Sequence, residues 1–463
     1  MKKIKLLTLA AAFLLTAGVV TSCGGGEDPI PDDPTDNPNN PDDPNKPDDG
    51  DEEIPEPEPI PVPDVSGSIT VWAPQEHQEL YKKFIKDFLA SDEEYSDCTI
   101  NLGVCSEADA YTNVSKAPED AADVFTFAND QLFNLINVGG LSEVGVLFKQ
   151  NIESQNSVGI VNAAKQGDKL YAWPISSDNG YFLYYDASVV SDYDESTSFQ
   201  DLLDQCKAAN KKLSVTVGDA WYGYGIFSGF GAKYEVTYDK TGKETAITCD
   251  YDGPNGMKAA KFVDSLARQS QNFQYLDGGA CGDKSVVLNT YIANNCKNLG
   301  AFVGGTWLYS DVAKAWGEEN VRCSYLPLMD GNDSTSRMRS FIGGKMIGVN
   351  SFSKNRTLAY YFADYISSYE CQMQRFEELG MGPSNLHALE EEDVKANKAL
   401  SGLAEQVGMA GDAQINVPST FWSAVQNFGV AVGYQNKTGM TDAQLQSELD
   451  KMVEDITTLS SGE

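Results

Sequence analysis

The chain is nearly devoid of histidine, with two in 463 residues, His77 and His387. It contains no HExxH, GxSxG, P-loop or GxGxxG pattern. The familiar zinc-hydrolase, serine-hydrolase, nucleotide and dinucleotide sites therefore have no local motif to rest on. Its nine cysteines show no CxxC spacing, which argues against a zinc knuckle or a dithiol redox centre. No metal site and no cofactor is expected. Basic residues are scarce, 34 against 68 acidic ones, for a net charge of −34. A surface of that sign repels phosphate backbones and anionic lipid headgroups, so nucleic acid is excluded as a partner. Long apolar runs are missing as well. The one run, Leu6 to Val20, is too short and too rich in Ala and Thr for a membrane span.

That run follows Lys2, Lys3 and Lys5, so residues 1–22 read as a secretory signal. It ends in Val20-Thr21-Ser22-Cys23 followed by three glycines. This resembles a bacterial lipobox and implies lipidation at Cys23. Residues 23–64 read as an acidic, proline-rich tether. Residues 24–64 hold 12 of the 19 prolines and 15 acidic residues against the single Lys46. So little apolar surface cannot offset the entropy of ordering, and proline and like charge both extend the segment. A calcium site would need EF-hand spacing, which is absent. The expected location is extracytoplasmic, held to the cell membrane by the lipid. The eight cysteines left are Cys98, Cys105, Cys206, Cys249, Cys281, Cys296, Cys323 and Cys371. No pairing among them follows from their spacing.

About 400 residues remain, too many for one core, so two domains are expected. Strand and helix signals alternate in α/β order. Strands are predicted at Ile69 to Trp72, Cys98 to Val104, Asp123 to Phe127, Leu213 to Val217, Leu299 to Gly304, Val321 to Leu326 and Lys345 to Val349. Leu80, Phe84 and Phe88 recur at helical spacing, as does Phe199 to Ala208. Leu358 to Leu379 reads as one long helix capped by Ser353 or Asn355, and Thr441 to Gln444 as the capping box of the last helix.

Chemistry concentrates at strand ends. Residues 173–186, WPISSDNGYFLYYD, place Asp178 and Asn179 between two β-prone segments. Five of the six tryptophans, Trp72, Trp173, Trp221, Trp307 and Trp422, fall at element ends, where a ligand cleft is lined; Trp316 sits on a helix face and reads as packing. Each alone reads as structural. Asp130, Asp178 and Asp219 lie close in sequence to aromatics, and flat rings with carboxylates suit a sugar's C–H faces and hydroxyls.

From Ile69 to Thr457 the chain resembles the extracellular solute-binding proteins of ABC importers, and within them the maltose/maltodextrin-binding branch. The carrying segments are ITVWAP, AADVFTFANDQLFNLINVGGLSEV, GDKLYAWPISSDNGYFLYYD, VGDAWYGYG, GAFVGGTWLYSDV, YLPLMDG with SFIGGKMIGV, and PSTFWSAVQN. The resemblance implies a two-domain periplasmic-binding-protein-like (type II) α/β fold with a hinge and an interdomain cleft. One lobe would span residues 67–177 and 340–383, the other 179–339 and 384–463. It implies sugar platforms at Phe127, Trp221, Trp307 and Trp422, carboxylates at Asp130, Asp178 and Asp219, and a further contact at Glu76. Gln131 and Gln426 stand where a maltodextrin binder has arginine, and two of the carboxylates are Asp where Glu is expected. The implied partners are an oligosaccharide, the permease subunits of the transporter and, through the lipid, the membrane. The chain is expected to be monomeric and not an enzyme. A secreted glycoside hydrolase, which needs only two carboxylates, and a binding protein for a non-sugar ligand are the alternatives.

Overall fold

A computed structural model describes residues 54–238, 244–269, 273–274, 296–415, 417–418, 420–435 and 438–458. The signal, Cys23, the tether up to residue 53 and Cys281 lie outside the described residues.

Two hydrophobic cores organise the chain. The first surrounds a five-stranded sheet, ordered Cys98–Val104, Gly67–Ala73, Val124–Ala128, Lys345–Val349, Trp173–Pro174. Ile69, Val71 and Ala73 alternate inward, as a strand buried on one face requires. The first two strands run parallel, which needs a crossover, and the helix Gln78–Ser91 supplies it, burying Leu80, Tyr81, Phe84 and Phe88. Lys345–Val349 enters antiparallel from far along the sequence and pairs Lys345 with Ala128 and Met346 with Phe127.

The second core surrounds another five-stranded sheet, ordered Phe273–Gln274, Lys212–Ser214, Leu299–Gly304, Phe182–Asp186, Val321–Ser324. The helix Phe199–Ala208 begins in a capping box formed by Ser198 and Asp201. Helix Ala220–Gly229 packs closely on the chain at Arg339; a Cβ at Gly225 would sit 2.0 Å from the Arg339 carbonyl. The last helix, Asp442–Thr457, starts in the Thr441/Gln444 capping box that its sequence predicts.

A small three-stranded sheet lies where the chain passes between the cores, ordered Gly411–Ala413, Ser340–Gly343, Asn179–Gly180. Gly343 pairs with Asn179, and Phe341 with Asp412. Arg339 clamps this sheet through a two-pronged ion pair to Asp412, which also accepts from the Tyr224 hydroxyl at 2.9 Å.

The structure differs from the sequence expectations in three places. The long helix over 358–379 is two helices, Arg356–Ile366 and Tyr369–Leu379; Ser368 caps the second by accepting from the Cys371 amide. A serine that can cap competes with helix continuation. Asn355 is the N-cap of the first helix but makes no side-chain cap bond. The end of the tether, 54–64, lies along the first lobe as a strap. Asn151 brackets Glu58, accepting from its amide at 2.9 Å and donating to its carbonyl at 2.8 Å. Gln155 donates to the Pro55 carbonyl and Tyr361 to the Pro61 carbonyl, while Ile60 packs on the first core. Extended proline-rich backbone exposes carbonyls that side-chain donors can collect.

Among the described residues the seven cysteines are all free, no helix is long and apolar enough to cross a membrane, and no cluster of side chains suits a metal ion.

Candidate ligand cleft

The two sheets present their strand ends to each other across the small connecting sheet. On the first side, strand Val124–Ala128 runs out into Asn129 and Asp130. Asn129 is buried and locked: its Oδ1 accepts from the Gly344 amide at 3.0 Å and its Nδ2 donates to the Gln414 carbonyl at 2.8 Å. Asp130 follows with its Oδ1 sealed from solvent and without a hydrogen-bond partner. Burial pushes its carboxyl up to about 6, against the opposing pull of Lys345 and of hydrogen bonding from its own backbone and the Gln414 side chain. It lines a cavity of about 90 Å³ with Asn129, Phe133, Asn162, Lys165 and Ile415.

On the second side, helix Ala220–Gly229 begins with Trp221, and strand Leu299–Gly304 ends just before Trp307. Their rings lie 5.7 Å apart at 36°, with Trp307 37% exposed and Trp221 half-buried. Asp219 is the N-cap of that helix, its Oδ1 accepting from the Trp221 amide at 2.9 Å. The carboxylate therefore fixes where Trp221 stands.

Gln414 joins the sides. Its carbonyl is held by Asn129, and its Oε1 accepts from Asn179 at 3.2 Å and from the Trp221 indole at 3.3 Å. Nothing in the sequence singles it out. Its role comes from the connecting sheet, which carries it in from residue 411 onward.

Asp178 is 6% exposed. Its Oδ2 accepts from the Gly382 amide at 2.7 Å and from the Thr306 hydroxyl at 3.0 Å. Burial raises its carboxyl above the usual range, and these hydrogen bonds oppose the rise. It ties the crossing strand to the return crossing and to the residue before Trp307. Trp173 is fully buried in the first core and donates to Asp364 at 3.2 Å, away from the cleft.

Three sequence-predicted site residues stand apart. Phe127 is fully buried in the first core, 6.0 Å from Phe125, and offers no face to a ligand; every residue of its strand is buried because sheet and helices cover both sides. Trp422 is half-buried against Phe421 and Phe341, not against the Trp221/Trp307 pair. Glu76 is exposed in the turn Gln75–His77.

Beside that turn, His77 Nδ1 lies 3.7 Å from Glu107 Oε1, a buried atom with no hydrogen-bond partner. Burial holds His77 down to about 4; Glu76 and Asp178 pull it upward, and the charges of Arg375 and Lys345 add to the lowering. Burial pushes Glu107 up. His77 is thus neutral at pH 7 and the contact is not an ion pair. The buried neighbourhood of His77, a lone histidine in sequence, becomes visible only once the strand ends converge.

A cavity of about 900 Å³ lies elsewhere, between the strap and the first lobe, lined by Glu56, Tyr95, Tyr361, Asp364, His387 and Glu391 among others.

Residues 83–402 match the family model described as bacterial extracellular solute-binding protein. A galactooligosaccharide-binding protein of Bacillus subtilis (strain 168) is 23% identical over 293 residues, 61% of this chain and 65% of that protein, just under two thirds of its length. The maltotriose-binding protein of Thermus thermophilus, solved with maltotriose, superposes with a TM-score of 0.67 at 19% identity, over 84% of this chain and 98% of that one. The maltose-maltodextrin binding protein of Alicyclobacillus acidocaldarius gives 0.65 at 15% identity, over 84% and 100%. These structures share the fold. Two α/β cores joined by crossing strands, with polar strand ends facing aromatic ones, accord with the sequence match, and the chain belongs to the bacterial extracellular solute-binding protein family.

Proposed function

We propose that this chain is the lipid-anchored sugar-binding component of a carbohydrate ABC importer. It captures an oligosaccharide of the maltodextrin type between its lobes, closes about the hinge, and delivers the ligand to a membrane permease without cleaving it. The lobes divide at residues 67–177 with 340–383 and 179–339 with 384–463. Cys23 carries the lipid, the tether holds the monomeric domain outside the cytoplasmic membrane, and no cofactor takes part.

One observation carries this reading. The pair formed by exposed Trp307 and half-buried Trp221 is joined through Gln414 to Asn129, beside the unpartnered Oδ1 of Asp130. Rings that stack on a sugar face then stand opposite an acceptor that needs a hydroxyl donor. The names of the relatives, which bind galactooligosaccharide and maltotriose, agree. Trp221, Trp307 and Asp130 make the direct contacts; Asp219 positions Trp221, and Asp178 holds the crossing that the lobes turn about. Trp422 and Glu76 contribute at the rim.

Titration calorimetry of the mature protein against malto- and galacto-oligosaccharides tests the reading. Micromolar binding is expected. Absence of binding below millimolar concentration for every oligosaccharide rejects it, and sugar products appearing on chromatography reject a purely binding role.

A further inference from the structure

Strand Lys345–Val349 starts at the cleft edge, between two strands that lead into carboxylates. On one side Lys345 pairs with Ala128, two residues before Asp130. On the other its carbonyl accepts from the Ile175 and Ser176 amides, and its own amide donates to the Ser176 hydroxyl at 3.2 Å, two residues before Asp178. Gly344 is locked to Asn129 in both directions, at 3.1 and 3.0 Å. A Cβ there would lie 2.1 Å from the Ser176 carbonyl, so the backbone has little room to shift.

The lysine is thus set by its backbone between Asp130 and Asp178, and it is half-buried. Among the described residues its ammonium makes no hydrogen bond and has no carboxylate within 4.0 Å. Its charge nevertheless acts on Asp130, Asp178, Glu107 and His77. Ammonium groups only donate and carboxylates only accept. Held apart rather than paired, they leave a place for a group that does both. A hydroxyl is such a group: it donates to the carboxylate and accepts from the ammonium, and each charge strengthens the other's bond. A carboxylate or sulfate on the ligand would meet Asp130, with the buried charge of Asp178 behind it, and an amine would meet Lys345.

We propose that Lys345 is a ligand-contacting, specificity-determining residue, which with Asp130 grips the hydroxyls of a neutral sugar ring and discriminates against rings charged at that position. This deepens the proposed function and rests on it.

The test is calorimetry of the mature protein with maltotriose, comparing wild type with Lys345→Met and Lys345→Gln, alongside the melting temperature of each without ligand. A charged hydrogen bond contributes about 1.5–3 kcal/mol, so Lys345→Met is expected to weaken binding about 10- to 100-fold. Lys345→Gln, which keeps a neutral donor, is expected to fall between, and neither is expected to lower the ligand-free melting temperature. Wild-type affinity in both variants overturns the role of Lys345 and leaves the sugar-binding function standing. An affinity loss matched by a fall in melting temperature assigns Lys345 to the scaffold and overturns the role too. A wild type that binds no oligosaccharide in the panel overturns this inference together with the function beneath it.

Discussion

Trp307 keeps 37% of its surface exposed although it follows a fully buried strand and stands beside Trp221. A large ring left open next to another ring is surface awaiting cover. Trp307→Ala is therefore expected to weaken maltotriose binding about tenfold, the loss of one stacking face, with little change in the urea midpoint; calorimetry and equilibrium unfolding check the two halves. Asp364 illustrates the opposite situation, a carboxylate covered without a charge partner. Burial pushes it from the ordinary 3.8 to about 6, and the Trp173 indole bond opposes the shift. The folded chain therefore holds this proton more tightly than the unfolded chain. The group's contribution to stability is present below 3.8 and is lost as pH rises through about 6. Asp364→Asn removes that loss, so its stability relative to wild type is expected to grow across this window, by up to about 3 kcal/mol, in urea titrations at acid and neutral pH. His77, held down to about 4, has the opposite sign and is common to both proteins.

At the scale of elements, the strap shows how a proline-rich segment can be part of a fold without secondary structure. Its backbone is satisfied by Asn151, Gln155 and Tyr361, on helices Val146–Gln155 and Arg356–Ile366. Asn151→Ala is expected to speed hydrogen exchange at the Glu58 amide by about fivefold or more, at ~1 kcal/mol per lost bond, while the affinity for maltotriose stays unchanged because the strap lies away from the cleft residues. Mass-spectrometric exchange on the mature protein checks it. The connecting sheet is built by other means. Its strands are two to four residues long, too short to be stable alone, and they are fastened by the Arg339–Asp412 ion pair and by Gln414.

At the scale of the molecule, the hairpin Tyr234–Tyr238 with Glu244–Cys249 reaches from the second core to the first, where Tyr238 stacks on Phe133 at 5.4 Å and 21°. Phe133 also lines the small cavity beside Asp130. This pair already bridges the two sides, and a closing movement of the lobes would have to keep it to hold them shut. Tyr238→Ser is expected to raise the ligand dissociation rate about fivefold, from ~1 kcal/mol of aromatic contact, in stopped-flow fluorescence of the cleft tryptophans. An unchanged rate would place the stack outside the closing motion.

Much of this molecule was legible before the tertiary structure. Ile69, Val71, Leu80, Phe84 and Phe88 report strand and helix by period alone, and Thr441 with Gln444 marks a helix start, because these signals depend on neighbours a few residues away. The order of strands and helices specifies an α/β chain with two cores. The acidic balance argues against phosphate-backbone partners. The arrangement was legible in part: Trp221, Trp307 and Asp130 stand at strand and helix ends, and Gln414 links Trp221 to Asn129, the neighbour of Asp130. What the tertiary structure decided is which of these side chains are sealed in the core or spent on the scaffold. Phe127 and Asp130 lie three residues apart, yet one is sealed in the core while the other is half-buried beside a small cavity. Asp178 and Asp219 read alike as acceptors in sequence, yet Asp178 fastens a crossing and Asp219 caps a helix. Gln414 and Lys345 carry no local signal at all. Lys345 is placed by a strand that pairs with Ala128 more than two hundred residues away, and Gln414 by the strand beside Ser340–Gly343 and by side-chain bonds to Asn129 and Asn179; a buried or bridging role set by such contacts exists only once the chain has closed on itself.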